Sequence, residues 1–373
     1  MNKKTMPVSL ALIFTLILTS CSNAQTKEAV TTPASTETTT VTSSVETSET
    51  SAPETSSTSE TTAAPSFETK APHEGYNFNP YVLSDMYVES FGEEFKEDYF
   101  AFCNAVLTGQ DSVALKDKEN FDRCRYAIRY CLPVADSYVG YPEADQADNK
   151  DGTFKLEYTI PKEEIGPRID AFIARVEELI NSTVEEDDTP LEKTLALYMA
   201  TATRIDYDYD AVEADPNEPS DRTTGPYHAI MEDMGICQEI AGAYAYLLLQ
   251  VGIDATTCSG LTHDMEWGHE WAIVKVGDKY YHCDPTSQTL EKNNLKYFGM
   301  TNAQREKMGD YNPKTFFIGL SNETTELYLP ITDETLKPLW KSKSVKIDRE
   351  KDMLYCYKKD DAKGKPYFKM SLK

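Results

Sequence analysis

The apolar positions of the chain fall into two periods, one helical and one alternating, and the changes between them mark its elements. From Cys237, the positions Ile240, Ala241, Tyr244, Leu247, Leu248 and Val251 recur with helical spacing, and Gly252 stands where a left-handed C-terminal cap is expected. The pattern predicts one helix opened by Cys237. Residues 269–276 then alternate and 279–284 follow, with Gly277-Asp278 between them as two-residue turn chemistry, which predicts a hairpin. Upstream, Pro167 starts an amphipathic helix with the stripe Ile169, Phe172, Ile173, Val176, Leu179 and Ile180. Thr189-Pro190-Leu191-Glu192 is a capping box with proline at the first helical position. It opens a helix to about residue 203 that buries Leu191, Leu195, Tyr198, Met199 and Ala202. Residues 75–151 read mainly as helix, with candidates at 93–107 and 119–130, and 155–160 alternates like a strand. After Gly299 the chain to Asp310 reads as helix or coil, and 315–318, 325–329, 353–357 and 367–371 read as short strands.

The same periods place three reactive side chains. Cys237 falls in the first turn of its helix, on the face to be buried, where unpaired N–H groups and the helix dipole favour thiolate over thiol. If Gly277 and Asp278 form the loop, paired positions sum to one constant, so Asp284 lies opposite Trp271 and diagonal to His269 on one face. Diagonal neighbours stand roughly 7–8 Å apart at Cα, near enough for imidazole and carboxylate to meet. A slip of one residue puts them on opposite faces, so the inference depends on the register. The order Cys, His, Asp suits a nucleophile, a base and an acid that orients the base. Each also has a blander role open to it: Cys237 as a packing cysteine, Asp284 as the cap of a turn made with Pro285. His228, His263 and His282 compete with His269, and on this register His282 shares the face of Asp284.

Gly235-Ile236-Cys237 followed by a small-residue helix, then His269-Glu270-Trp271, then Tyr280-Tyr281-His282-Cys283-Asp284-Pro285-Thr286, resembles the transglutaminase-like superfamily, a branch of the papain-like cysteine enzymes. The lead-in GPYHAIMEDMGIC, residues 225–237, is similar to that of bacterial members, and the likeness spans roughly 191–299. The resemblance implies an α+β fold with a papain-like transglutaminase core at 161–310, its central helix packed on an antiparallel sheet. An N-terminal helical extension at 73–160 precedes this core, and C-terminal β strands at 311–373 complete it or are appended to it. By the same resemblance Cys237 is the nucleophile, His269 the base and Asp284 the residue that orients it, with no cofactor. Many bacterial members have Asn after H-x-W where this chain has Ala272, so a polar contact there is missing or replaced. Acyl chemistry needs an oxyanion hole; the backbone N–H of Cys237 is the natural donor, and Tyr227 and Gln238 are the side-chain candidates. Trp267 and Trp271 are candidates either for the cleft wall or for the core.

The N-terminal part adds a location. Lys3 and Lys4 precede an apolar run from Val8 to Leu18, which reads as a secretory signal at 1–20, too short to span a membrane unaided. Leu18-Thr19-Ser20-Cys21 resembles a bacterial lipobox, which implies cleavage before Cys21 and a lipid on its sulfur. The expected place is the cell membrane, facing the extracytoplasmic side; an ordinary exported protein is the alternative. From Ser22 to about residue 72 the chain is almost entirely Ser, Thr, Glu, Ala and Pro, too apolar-poor to offset its ordering entropy, so 21–72 reads as a lipid-anchored disordered stalk. Of the 373 residues, 62 are acidic and 37 basic, a net charge of −25 that argues against nucleic acid and anionic lipid as partners. Membrane contact is left to the lipid on Cys21, and the expected partner is a protein or peptide substrate, cell-wall-associated proteins included.

Metal chemistry finds little support. There is no C-x-x-C pair, and H-E-x-x-H fails at Ile273. An EF-hand loop from Asp206 needs Gly at 211 and Glu at 217 but has Ala211 and Asn217, so 205–222 reads as a solvated acidic loop. Cys124 and Cys131 stand two helical turns apart, about 10 Å along the axis, too far to bond on a continuous helix. In an oxidising compartment Cys103, Cys124, Cys131, Cys258, Cys283 and Cys356 are open to pairing with one another in other combinations, and the sequence fixes no connectivity. Cys283 alternates away from Asp284, which makes packing its default role. Two function classes remain: a transglutaminase-like acyltransferase or cysteine peptidase acting on amides, and a non-catalytic cell-surface binding module on the same fold. Cross-linking, deamidation and hydrolysis use the same three residues and are not separated by sequence.

Overall fold

Capping, turn chemistry and one close helix crossing account for the elements that position the site. The structure is a computed structural model and describes residues 75–373 apart from 143, 215–221, 291–294, 321–328, 360, 361 and 363. The signal, Cys21, the stalk and all but the last residue of the strand expected at 325–329 lie outside the described residues.

Helix α1 (Asp85–Leu107) opens on Ser84, whose side chain accepts the Met86 N–H at 3.3 Å. It is broken at Gly92, where φ is 86°, so the helix expected at 93–107 is its second half. Strands β1 (Ser112–Ala114) and β2 (Thr153–Lys155) pair antiparallel, with α2 (Asn120–Cys131) between them in sequence. The strand expected to run from 155 to 160 is corrected: β2 ends at Lys155, the Leu156 N–H still reaches Asp111 O beside β1, and the chain then changes partner, with Gly140 N–H on Glu157 O and Thr159 N–H on Tyr138 O across a Val139–Tyr158 bridge.

Helix α3 spans Lys162–Asn181, so Pro167 lies inside it and is not its first residue. Pro161 is the N-cap, and Glu163 and Glu164 set negative charge against the helix dipole in the first turn. Helix α4 (Pro190–Arg204) has the expected capping box: Thr189 Oγ1 accepts the Glu192 N–H at 3.3 Å while Glu192 Oε2 takes the Thr189 N–H at 2.8 Å. Strand β3 (Asp206–Tyr207) then pairs parallel with β4 (Met234–Gly235), enclosing α5 (Gly225–Glu232).

Helix α6 (Cys237–Gln250) is the centre of the fold. The sequence marked one apolar stripe on it, yet every residue except Gln238 is buried. The sheet covers one side, while α5, α4 and α2 cover the others, so Ala243, Tyr246 and Leu249 are buried as well. Tyr244, Leu248 and Ile240 are completely enclosed, each worth about 1.5–3 kcal/mol in apolar burial. Gly252 follows with φ 78°, the left-handed cap the spacing called for.

The sheet runs β5 (Ala255–Leu261), β6 (Gly268–Val276) and β7 (Lys279–Cys283), in the order β7, β6, β5 and then β8 (Phe317–Ile318), antiparallel throughout. Val276 pairs with Lys279 and Ala272 with Cys283, so Gly277-Asp278 is the loop and the register is the one read from sequence. Short helices α7 (Pro285–Leu290) and α8 (Asn302–Lys307) follow the hairpin. Strands β9 (Ser344–Asp348), β10 (Met353–Tyr357) and β11 (Phe368–Ser371) form a separate sheet. Within the C-terminal part, β8 adds to the core sheet and β9 to β11 stand as a second sheet. Arg349 ties that appendix to Asp188 at 3.1 Å and to Thr183 O at 3.0 Å.

The helical N-terminal part shares one apolar cluster with the core. Tyr87 donates to Gly319 O at 3.2 Å beside β8, Ser84 to Asp254 Oδ1 at 2.6 Å, and the Asn79 N–H to Gln250 Oε1 at 3.1 Å at the end of α6. At the crossing of α6 with α5, a Cβ on Gly242 would stand 2.4 Å from Pro226 Cγ and 3.0 Å from the Tyr130 ring. Neither group is a flexible chain end, so Gly242→Ala is expected to lower stability by about 1–3 kcal/mol, read as a fall in the denaturation midpoint. An unchanged midpoint would contradict this packing.

Candidate active site

Each of the three residues singled out by sequence sits at the end of an element. Cys237 is the first residue of α6 and is 2% exposed. His269 is the second residue of β6, and Asp284 follows β7 directly. The register carries the latter two to one face of the hairpin, where His269 Nε2 and Asp284 Oδ2 are 3.0 Å apart with both side chains buried. Helix α6, which Cys237 opens, packs against β6, the strand that carries His269.

The chain around Cys237 is shaped by one carboxylate. Ile236 is the N-cap and has no acceptor in its side chain, so Glu239 Oε2 takes the Ile236 N–H at 3.0 Å. Glu239 Oε1 takes the Gly225 N–H at 3.0 Å and Arg222 Nη1 at 2.8 Å, and Arg222 Nε reaches Asp208 Oδ2 at 2.9 Å. Asp208 also accepts the Ala211 N–H at 2.9 Å, so the acidic stretch from residue 205 includes a structural strut and is not solvated throughout as expected. Glu239 is fully enclosed. It pins the loop before Cys237 from both sides, which fixes where the thiol leaves the backbone.

The electrostatics of the second half rest on Asp284. Burial by itself pushes its carboxyl up, but the positive charge of His269 when protonated, the Arg305 charge and the hydrogen bonds from His269 and Ser287 outweigh burial and hold it well below the usual carboxylate range. Oδ2 accepts from His269 Nε2 at 3.0 Å, Arg305 Nη1 at 2.8 Å and Ser287 Oγ at 2.6 Å, and Oδ1 accepts the Ser287 N–H at 3.0 Å. An ionised carboxylate only accepts, so His269 Nε2 carries the hydrogen and Nδ1 is left as the basic nitrogen. The Tyr311 ring stacks on the imidazole at 5.8 Å and 25°. The imidazole is thus held by Asp284 on one nitrogen and by Tyr311 on one face.

The competing histidines have other partners. His282 accepts the Trp271 Nε1–H at Nδ1, 2.7 Å, and meets Asn302 Oδ1 from Nε2 at 2.8 Å, which requires the neutral ring protonated on Nε2. His228 lies on α5 against Thr223 at 3.1 Å, and His263 is exposed beside Glu306 at 3.0 Å. Trp271 is 0% exposed and belongs to the core, while Trp267 is half-buried. Of the oxyanion candidates, Tyr227 is engaged in packing, stacked on Phe172 at 5.6 Å under Arg168, and Gln238 is half-buried beside Cys237. Ala272 is fully buried. Ser287 and Arg305 supply polar contacts on Asp284, and the sequence reading assigned neither. Asn302 and Arg305, three apart on α8, share the buried side of that short helix, a spacing that marks one face.

Burial lowers the His282 pKa from 6.5 to about 3. The unfolded chain binds this proton below about pH 6.5 and the native one only near pH 3, so stability is full above 6.5 and is lost as pH falls through that window. Between pH 6 and 4, wild type is expected to lose about 1.4 kcal/mol per pH unit more than His282→Gln in denaturant unfolding. Equal slopes would contradict the buried neutral ring.

Residues 177–285 match the sequence model of the transglutaminase-like superfamily. No curated protein sequence matches the chain at a significant level. Among solved structures, one described as a candidate cysteine protease from Cytophaga hutchinsonii is 17% identical, over 26% of this chain and 31% of that one, with a TM-score of 0.21. A structure described as a TGase is 18% identical, over 34% of each chain, with a TM-score of 0.27. The chain thus spans about a third of the length of either structure. Over residues 177–285, which contain Cys237, His269 and Asp284, the chain is similar to the transglutaminase-like superfamily.

Proposed function

We propose that the protein is an exported transglutaminase-like cysteine enzyme that acts on protein or peptide amides through Cys237, His269 and Asp284. The observation that carries this reading is the buried 3.0 Å contact between His269 Nε2 and Asp284 Oδ2, which commits Nδ1 to act as a base. His269 Nδ1 takes the thiol proton, and the Cys237 thiolate attacks the amide carbonyl carbon. The oxyanion forms at the N-terminus of α6, where backbone N–H groups and the helix dipole favour negative charge. The imidazolium returns its proton to the departing nitrogen, which leaves as ammonia or an amine, and a thioester remains on Cys237. A second nucleophile, deprotonated by the same imidazole, expels the thiol. An amine gives a cross-link, and water gives deamidation or peptide hydrolysis.

The reading of residues 1–20 as an export signal and the lipobox-like Leu18-Thr19-Ser20-Cys21 support an activity on the extracytoplasmic side of the cell membrane, on a tether facing cell-wall-associated or other extracellular proteins. Glutamine or peptide amides are the proposed substrate class, and no cofactor enters the steps above.

Burial raises the thiol pKa of the other described cysteines: Cys131, Cys283 and Cys356 to about 12, and Cys103, Cys124 and Cys258 further still. These thiols are protonated at neutral pH, so alkylation separates them from an activated one. Iodoacetamide is expected to modify Cys237 first, and His269→Ala to slow that reaction about 10²-fold or more. Labelling of Cys237 no faster than the others would favour the non-catalytic binding module. Incubation with a glutamine-containing protein and a primary amine, followed by mass spectrometry, then decides between amine incorporation, deamidation and cleavage. Cys237→Ala abolishes whichever product appears.

A further inference from the structure

Arg305 lies 20 residues beyond the segment that matches the superfamily, yet its guanidinium reaches the centre of the site. Its side chain is 0% exposed, and the guanidinium carbon sits 4.4 Å from the ring centroids of both Trp271 and Tyr311. Only Nη1 makes a hydrogen bond, to Asp284 Oδ2 at 2.8 Å; Nε and Nη2 are buried without partners. Arginine pairs best with a carboxylate through two parallel hydrogen bonds. Here that geometry is blocked, because Ser287 N–H occupies Oδ1 and His269 and Ser287 Oγ share Oδ2. A buried cation with two unmet donors is an expensive way to fill an apolar slot between two rings. The arrangement makes physical sense if the positive charge itself is needed next to Asp284.

We propose that Arg305 is a positioning residue of the Cys237, His269 and Asp284 centre, acting through Asp284: it keeps the carboxylate ionised and aimed at the imidazole in an enclosed site. The assignment rests on the catalytic reading given above and adds a residue to it. With a neutral imidazole as its only ionisable neighbour, a buried carboxylate would be driven towards its protonated form by desolvation. A protonated Asp284 would no longer hold Nε2–H as a donor, and Nδ1 would lose its role as base. Arg305 also takes up part of the Asp284 charge, which limits how strongly the imidazolium is stabilised once it forms. Removing the guanidinium charge therefore moves both limbs of a pH profile upward: the acid limb because Asp284 protonates more readily, the alkaline limb because the imidazolium is held to higher pH. The other titratable groups around this pair are Glu270 beside His269 on β6, His282 and Cys283 on β7, Tyr198 on α4, Tyr311, Cys258 on β5 near Arg305 and, on the catalytic reading, the Cys237 thiol. His282 is neutral in its place, and Arg305 is the only guanidinium or ammonium group among these neighbours.

The test is the rate of Cys237 alkylation by iodoacetamide from about pH 4 to 9 in wild type, Arg305→Met, Arg305→Gln and Arg305→Lys, with circular dichroism and thermal melts on each. The expected result is an upward shift of the profile by about one pH unit or more in the two neutral variants. Arg305→Lys, which keeps the charge, is expected to return most of that shift even where its melting temperature stays low. A purely structural role would lower the melting temperatures and leave the profiles aligned, and that result overturns the proposal. Unfolding of both neutral variants also overturns it, since Arg305 would then belong to the fold and not to the site. A wild-type Cys237 that reacts no faster than the other cysteines overturns the catalytic reading and this assignment together. A fast wild-type thiol with an unmoved profile in the folded neutral variants overturns the assignment alone.

Discussion

One enclosed negative charge constrains this part of the molecule. Asp284 has no solvent exposure, and an unpaired carboxylate in that position would cost several kcal/mol. Its four hydrogen bonds come from three places: β6 through His269, the turn after Pro285 through Ser287, and α8 through Arg305. None of the three can shift without leaving the charge exposed to a poorer environment. The hairpin register, the turn at the head of α7 and the docking of α8 are therefore coupled through one side chain. The imidazole gains a fixed tautomer from the same arrangement.

A second carboxylate does comparable work beside Cys237. Glu239 gathers the Ile236 and Gly225 N–H groups and the Arg222 guanidinium at the start of α6. Around these two centres the rest of the chain supplies enclosure. The N-terminal helices close over α6 at Gln250 and at Gly242, and the β9 to β11 sheet is fastened near the start of α4 by Arg349. The extension expected as a preface to the core is packed into it, through a common apolar cluster.

The legible parts of the fold were those written in local chemistry. The capping box at Thr189, the glycine cap at Gly252 and the Gly277-Asp278 loop each depend on a few neighbouring residues, and each stands where the sequence put it. The loop mattered most, because it fixed the register that brings His269 to Asp284. Errors arose where tertiary contacts overrode local preference. Pro167 looked like a helix start but sits inside α3, and residues 155–160 split their pairing between β1 and residues 138–140, so they do not form one strand. The all-round burial of α6 was also invisible, since a stripe on a helical wheel reports one contact surface and not four. In the site, Cys237, His269 and Asp284 were marked by motif and order, whereas Ser287 and Arg305 carry no motif. They are defined only by what the fold brings beside Asp284.

The most direct test of the account is to mix the protein with a glutamine-containing peptide, quench in acid and map covalent adducts by mass spectrometry. The account predicts an acyl adduct on Cys237, equal to the peptide less ammonia, that disappears on adding a primary amine and does not form in folded His269→Ala. A folded wild-type protein that never carries such an adduct on Cys237, with glutamine or peptide-bond substrates alike, would contradict it.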